Sequence, residues 1–65
     1  MSNKHLRILV VDAQSSVREL LRAVLESDGH EVEDAPDGES AVRKLRRGFH
    51  DLVIMDIRMP GLDGV

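Results

Sequence analysis

The sequence contains no cysteine, and Phe49 is the only aromatic residue among its 65 residues. Without thiols, neither a disulfide framework nor a thiolate metal site can stabilise the chain. A domain of this size buries only about 60% of the surface that its unfolded chain exposes. Because its own core is therefore small, we expect packing against another protein surface to contribute to its stability.

Long apolar runs are missing as well. The longest cover residues 8–11 and 52–55, far below the roughly 20 residues that a membrane-spanning helix needs. The N-terminus lacks the apolar core of a secretory signal, so we expect a cytoplasmic protein without membrane contact. Neither G-x-G-x-x-G nor G-x-x-x-x-G-K-[ST] follows the first apolar run, which argues against a dinucleotide or nucleoside-triphosphate enzyme.

Three segments predict β-strands. Arg7–Val11 and Leu52–Met55 are almost entirely apolar without polar alternation, as is typical of strands that are covered on both faces of a parallel sheet. The third segment, Glu31–Ala35, carries three carboxylates and is better suited to the edge of a sheet. Each of the two apolar strands is followed directly by an aspartate.

Two amphipathic helices are predicted between these strands. We expect Ser16, with Glu19 three residues later, to form a capping box at the start of the first helix. Gly29 is expected to end that helix, because glycine readily adopts the left-handed conformation of a helix end. The apolar residues of the helix are spaced i, i+3, i+4, i+7 and i+8, and they are Val17, Leu20, Leu21, Val24 and Leu25.

The second helix is predicted from Gly38 or Glu39 to Arg47, after a turn at residues 36–38. With a net charge of −3, we interpret its basic residues as a solvated face and expect no direct nucleic-acid binding by this segment. The basic residues of this helix are Arg43, Lys44, Arg46 and Arg47.

We expect Phe49 to fill the core and His50 to be a surface residue, like His5 and His30.

The alternation of strands and helices predicts a βαβαβ unit, an α/β fold with a parallel sheet and right-handed crossovers. We expect the two apolar strands to be neighbours and the carboxylate-rich strand to lie outside the first. This gives the local strand order 2-1-3, which we adopt from flavodoxin-like sheets. No repeat or linker divides the chain.

Asp12 and Asp56 are the candidate site residues. In such sheets the ligand site lies beyond the carboxyl ends of the strands, where the strand order reverses, so the two aspartates are expected at one edge. Neighbouring carboxylates repel unless they share a cation or a proton, and Mg²⁺ suits oxygen ligands of this kind. The alternative is that each aspartate only caps the loop that follows its strand.

The segments ILVVD (residues 8–12) and DLVIMDIRMPGLDG (residues 51–64) closely resemble the receiver domains of bacterial two-component response regulators. The resemblance runs from about Lys4 to Val65 and corresponds to roughly the first half of the family's domain. We therefore expect residues 1–65 to be a partial, truncated receiver domain with a flavodoxin-like fold.

The resemblance implies that Asp56 is the phosphoacceptor. It also implies a Mg²⁺ site formed by Asp12, Asp56 and the backbone carbonyl of Arg58. A sensor histidine kinase would then donate the phosphoryl group and switch a downstream output domain, and the module itself would not be an enzyme.

Two features depart from the family pattern. Ala13 follows Asp12 where the family usually has a second acidic residue that binds the metal directly, so we expect weakened Mg²⁺ binding. The family's later Ser/Thr and Lys, which contact the phosphoryl oxygens, have no counterpart in these 65 residues. A degenerate receiver that acts only as a protein-interaction module is therefore the alternative interpretation.

A flavodoxin-like FMN enzyme is a further alternative with the same strand order. It would need a phosphate-binding loop after the first strand that is richer in Ser, Thr and Gly than residues 12–16, so the sequence does not favour it.

The third strand raises the question of association. In the family's complete fold, a fourth strand pairs along its outer edge. With that edge open, the strand offers unpaired backbone groups to another chain. We expect this chain either to self-associate, by pairing third strands across a two-fold axis, or to need the other half of a receiver domain.

Overall fold

A computed structural model of the protein describes residues 5–56. The predicted βαβαβ order is confirmed within these residues, and so are the predicted strand bounds. The elements are β1 (Arg7–Val11), α1 (Ser15–Ser27), β2 (Glu31–Ala35), α2 (Gly38–Arg47) and β3 (Leu52–Met55).

The three strands form one parallel sheet in the order β2-β1-β3, which confirms the predicted order 2-1-3. The central strand β1 pairs on both sides, with Val11 opposite Ala35 of β2 and opposite Met55 of β3. Residues 8–11 are consequently almost inaccessible to solvent. The carboxylate-rich β2 lies at an edge, as its composition predicts.

The core consists of two clusters, one on each face of the sheet. On the α2 face, Leu9 and Val11 pack with Ala35 and Ala41. On the α1 face, Ile8 and Val10 form the second cluster with Val32, and the partly buried residues packed against it are Leu6, Leu21, Leu25 and Ile54. Burying each aliphatic side chain of β1 stabilises the fold by about 1.5–3 kcal/mol.

The start of α1 differs from the prediction. The helix begins at Ser15 with Gln14 as its N-cap residue and without a side-chain cap hydrogen bond, so the capping box at Ser16 is wrong. The reason is that Asp12 Oδ1 accepts a hydrogen bond from the Gln14 backbone N–H at 2.9 Å. This turn starts the helix earlier, and Ser16 then has helical backbone angles that an N-cap residue lacks.

The end of α1 follows the prediction. Gly29 has a φ of 91°, the left-handed conformation that favours glycine. Its N–H donates to the Glu26 carbonyl at 2.9 Å, and the His30 N–H donates to the Leu25 carbonyl at 3.2 Å. These two bonds form a Schellman motif, which satisfies carbonyls at the helix end.

The apolar side of α1 is only partly covered within residues 5–56. Leu21 and Leu25 pack on the sheet, whereas Leu20 and Val24 are more than half exposed. Phe49 is 64% exposed, so the prediction that it fills the core is wrong. The physical reason is that Phe49 lies on the loop between α2 and β3, outside the strands and the helix face whose residues form the two core clusters.

His50 is not the surface residue that was predicted. Its side chain is only 3% exposed, and its Nε2 lies 2.8 Å from Glu33 Oε1. This hydrogen bond lowers the pKa of Glu33 below its ordinary value. Within the described part of the chain, His50 Nδ1 is buried without a hydrogen-bond partner. The contact ties the segment before β3 to β2.

Asp37 is the N-cap residue of α2, and its carboxylate accepts a hydrogen bond from the Ser40 N–H at 2.7 Å. This bond, first of all, lowers the pKa of Asp37. The ionised carboxylate also lies at the positive end of the helix dipole, which favours an anion. Asp37 therefore stabilises α2 in its charged form.

We expect Asp37→Ala to lower the melting temperature by a few degrees, because the helix loses its cap. Asp37→Asn is the matched control, since it keeps an acceptor oxygen without the charge. Because the folded-state pKa is depressed, the stability advantage of the aspartate over the asparagine variant is present at neutral pH and is lost as the pH falls through that pKa. The melting temperatures of the unmodified protein and the asparagine variant are measured by circular dichroism at several pH values in this acidic range. A difference in melting temperature that does not change with pH would contradict the prediction.

Candidate functional site

Asp12 and Asp56 lie at the same edge of the sheet, directly after the neighbouring strands β1 and β3. The Asp56 N–H donates to the Val11 carbonyl at 3.1 Å, and the Asp12 N–H donates to the Ala35 carbonyl at 3.1 Å. These bonds continue the strand pairing by one residue beyond each strand. The backbones of both aspartates are thereby fixed at the carboxyl end, where the strand order reverses.

Asp12 is held by three hydrogen bonds of different kinds. Its N–H is bound in the ladder to Ala35, its Oδ1 accepts from the Gln14 N–H, and its carbonyl accepts from Arg18 Nη1 at 2.7 Å. One carboxylate oxygen of Asp12 thus caps the loop that follows β1. The same bond also fixes the orientation of the carboxylate, which is half-buried.

The chemistry of these two residues fits Mg²⁺. This ion usually binds one or two carboxylates and keeps several of its waters, and two aspartates at adjacent strand ends provide carboxylates of this kind. Ala13, at the position of the missing acidic ligand, is exposed. Arg58, the third predicted ligand, lies outside the described residues. Within residues 5–56, no cluster of three or more His, Asp or Glu residues is arranged to hold a metal ion.

A cluster of charged residues next to the site was not predicted from the sequence. Asp34 of β2 forms ion pairs with Arg18, at 3.2 Å, and with Arg22, at 3.7 Å. Lys44 donates to the Asp34 carbonyl at 2.7 Å, so it is not part of the solvated basic face that was predicted. One signal was available: a cation near the start of a helix opposes the helix dipole, and Arg18 lies there without any acidic residue in the first turn.

The sequence matches the family model described as the response regulator receiver domain over residues 8–65. The chain belongs to this family. Among its relatives, the transcriptional regulatory protein ResD of Bacillus subtilis is 39% identical over 59 residues, which is 91% of this chain and 25% of that protein. A gliding motility regulatory protein of Myxococcus xanthus is 43% identical over 61 residues, 94% of this chain and 8% of that protein.

Two solved receiver structures have the same fold. The chemotaxis response regulator CheY4 of Vibrio cholerae superposes with a TM-score of 0.85 at 34% identity, covering 89% of this chain and 48% of that one. TrrA of Thermotoga maritima, solved in complex with Mg²⁺–BeF, gives a TM-score of 0.81 at 50% identity, with coverages of 86% and 49%. The receiver chain thus spans about half the length of these structures, and the comparison shows that its described residues have a flavodoxin-like fold.

Receiver domains are signalling modules of two-component systems. Of the helices in the described part of the receiver domain, none is both long and apolar enough to cross a membrane.

Proposed function

We propose that this receiver domain accepts a phosphoryl group on Asp56 from a sensor histidine kinase in the cytoplasm and thereby switches a downstream output. The observation that carries the proposal is the position of Asp56, at the end of β3 and beside Asp12 at the end of β1. Family membership supports it. Incubation with a phosphorylated kinase tests it, because the label should be lost when Asp56 is replaced.

In the proposed transfer, the carboxylate of Asp56 is the nucleophile. An oxygen of Asp56 forms a bond to phosphorus, the phosphorus–nitrogen bond of the kinase's phosphohistidine breaks, and its electron pair remains on the imidazole ring. Asp12, Asp56 and the carbonyl of Arg58 would hold Mg²⁺, whose charge offsets the negative charge that develops on the phosphoryl oxygens. Because the kinase supplies the activated group, we assign this domain as a substrate and switch rather than an enzyme.

The output lies in another domain. ResD and PhoP of Bacillus subtilis are named as transcriptional regulatory proteins, and the receiver chain spans 25% of each. We infer that an output domain of this general kind responds to phosphorylation of Asp56.

A degenerate receiver that only binds a partner protein is the second candidate. Two observations favour it: Ala13 supplies no carboxylate, and Asp12 Oδ1 already accepts a hydrogen bond from Gln14. In this case Asp56 would not be labelled, and exposed apolar residues would carry the interaction. The two candidates therefore differ in whether Asp56 is labelled and in whether Mg²⁺ binds at the two aspartates.

We further propose that the receiver chain self-associates through β3. Within residues 5–56, β3 pairs only with β1, so its other edge is open. Leu52 and Met55 at the two ends of this strand are exposed by 45% and 42%. Open strand edges with apolar side chains promote pairing between chains.

Ala13→Asp is expected to raise the affinity for Mg²⁺ at least about tenfold, because even groups that only orient metal ligands typically contribute 10–100-fold. The added carboxylate would lie directly after Asp12, where the family usually has one. Titration calorimetry of both proteins gives the two affinities. Ala23→Asp is the matched control, since it adds the same charge on the exposed side of α1. Equal affinities of the Ala13→Asp variant and the unmodified chain would contradict the prediction.

A further inference from the structure

We propose that Arg18 is a positioning residue, which holds the backbone of Asp12 in place by bridging the carboxyl ends of β1 and β2. The inference rests on the proposed function in one respect, namely that Asp12 contributes to a Mg²⁺ site. In this proposal, α1 contributes the side chain that fixes the loop carrying the Asp12 carboxylate.

The bridge consists of two hydrogen bonds from one guanidinium. Arg18 Nη1 donates to the Asp12 carbonyl at 2.7 Å, and Arg18 Nε donates to Asp34 Oδ2 at 3.2 Å. A planar guanidinium has donors in fixed directions, so one side chain can hold two acceptors at a defined separation. The Arg18 side chain is 17% exposed, and a partly buried pair is screened less by salt than one at the surface.

Asp34 is a firm anchor for this bridge. It lies opposite Val10 in the β1–β2 register, and its carbonyl accepts a hydrogen bond from Lys44 of α2. Its carboxylate also faces Arg22, 3.7 Å away. Because both helices contact this one residue, the end of β2 is held from both faces of the sheet.

The ion pair with Asp34 also determines which carboxylate compensates the positive charge of Arg18. An arginine this close to Asp12 could pair with its carboxylate and compete with a metal cation. Asp34 instead compensates the guanidinium, which is directed to the Asp12 carbonyl, while Asp12 Oδ1 accepts from the Gln14 N–H. The arrangement therefore immobilises Asp12 without neutralising it.

Arg22 provides a matched comparison on the same helix. It also contacts Asp34, and it forms a second ion pair with Glu26 at 3.1 Å. Among the described residues, these two carboxylates are its ion-pair partners. Its side chain is 45% exposed, and exposed pairs of this kind contribute little to stability. Arg22→Ala thus removes an arginine next to Asp34 but leaves the bridge to Asp12.

The first measurement is Mg²⁺ affinity by titration calorimetry on the full 65-residue chain. We expect Arg18→Ala to weaken binding about tenfold, the lower end of the effect of groups that orient metal ligands, and Arg22→Ala to leave it unchanged. Arg18→Lys should restore part of the affinity, because an ammonium group can reach one of the two acceptors. If Asp12→Asn weakens Mg²⁺ binding, equal affinities of the Arg18→Ala and Arg22→Ala proteins would overturn the proposal.

The second measurement is amide hydrogen exchange at Gln14 in the absence of metal. Since the Gln14 N–H is bound to Asp12 Oδ1, we expect Arg18→Ala to accelerate its exchange and Arg22→Ala not to. Similar acceleration in both variants would indicate a general loss of stability and would overturn the positioning role. If Arg18→Ala fails to fold by circular dichroism, Arg18→Lys is compared with Arg22→Lys instead.

The two measurements also separate this inference from the proposed function. If Asp12→Asn binds Mg²⁺ as well as the unmodified chain does, the metal site at Asp12 is wrong, and exchange at Gln14 still decides whether Arg18 holds the Asp12 loop. If Asp12→Asn loses binding while Arg18→Ala retains it, the proposed metal site stands and the positioning role is refuted.

Discussion

Replacing Asp56 with asparagine is expected to abolish phosphoryl labelling of this protein. The amide oxygen of asparagine carries no negative charge and does not attack phosphorus, whereas a carboxylate does. The backbone at this position is fixed by the bond from the Asp56 N–H to Val11, so the substitution changes the nucleophile and leaves its position intact. The labelled product is measured by intact mass after incubation with a small phosphodonor and Mg²⁺.

Asp51→Asn is the matched control for this experiment. Asp51 directly precedes β3, and its carboxylate accepts a hydrogen bond from the Arg7 N–H at 2.9 Å, at the opposite end of the strand from Asp56. The same chemical change at that end should leave labelling intact. We expect slow labelling of the unmodified chain because Ala13 supplies no metal ligand, and faster labelling of Ala13→Asp. Equal labelling of Ala13→Asp with and without the Asp56→Asn substitution would refute the phosphoacceptor role.

The features that the sequence predicted correctly are those determined by local pattern. Arg7–Val11 is a strand as predicted, and its residues 8–11 are covered on both faces, as their apolar composition indicates. Leu52–Met55 is also a strand as predicted but is only partly covered, because within residues 5–56 the two helices pack against β1 and β2. Gly29 ends α1 because the helix end requires a positive φ. The position of Asp12 and Asp56 at one edge follows from these strands and their order, so the core of the candidate site was accessible from the sequence.

The features that the sequence did not predict depend on contacts between distant residues. The bridge from Arg18 joins Asp12 to Asp34, which come from different strands, and no periodic pattern links these positions. His50 is buried because Glu33 of β2 binds its ring, an interaction across 17 residues. Phe49 is exposed because it lies on the α2–β3 loop, outside the elements that form the core, and composition alone does not reveal which residues a core includes.

The exposed apolar residues in the described part of the receiver domain indicate that another protein surface packs against it. Seven large hydrophobic side chains are exposed within residues 5–56, on both helices, on the α2–β3 loop and on β3. Exposed apolar patches larger than a few hundred Å² commonly mark interaction sites. Parallel sheets are normally covered on both faces, and α1 and α2 pack against β1 and β2. The least covered strand is therefore β3.

A second copy of the chain suits this open edge because of the geometry of β3. Pairing of two β3 strands across a two-fold axis places each strand antiparallel to its counterpart, and every contact is made twice. The pairing satisfies backbone groups along the outer edge of β3. It also extends the three-stranded sheet into a continuous six-stranded one, which is within the usual size of sheets.

We therefore expect the chain to be a dimer in sedimentation equilibrium at low micromolar concentration, with a melting temperature that rises with protein concentration. Leu52→Lys should shift the protein to monomer and lower its melting temperature, because a lysine on an edge strand opposes pairing. Val24→Lys is the control, since Val24 is similarly exposed but lies on α1, away from the β3 edge. A folded monomer that melts cooperatively, independent of its concentration, would refute self-association. Equal dissociation by both lysine substitutions would place the interface elsewhere than β3.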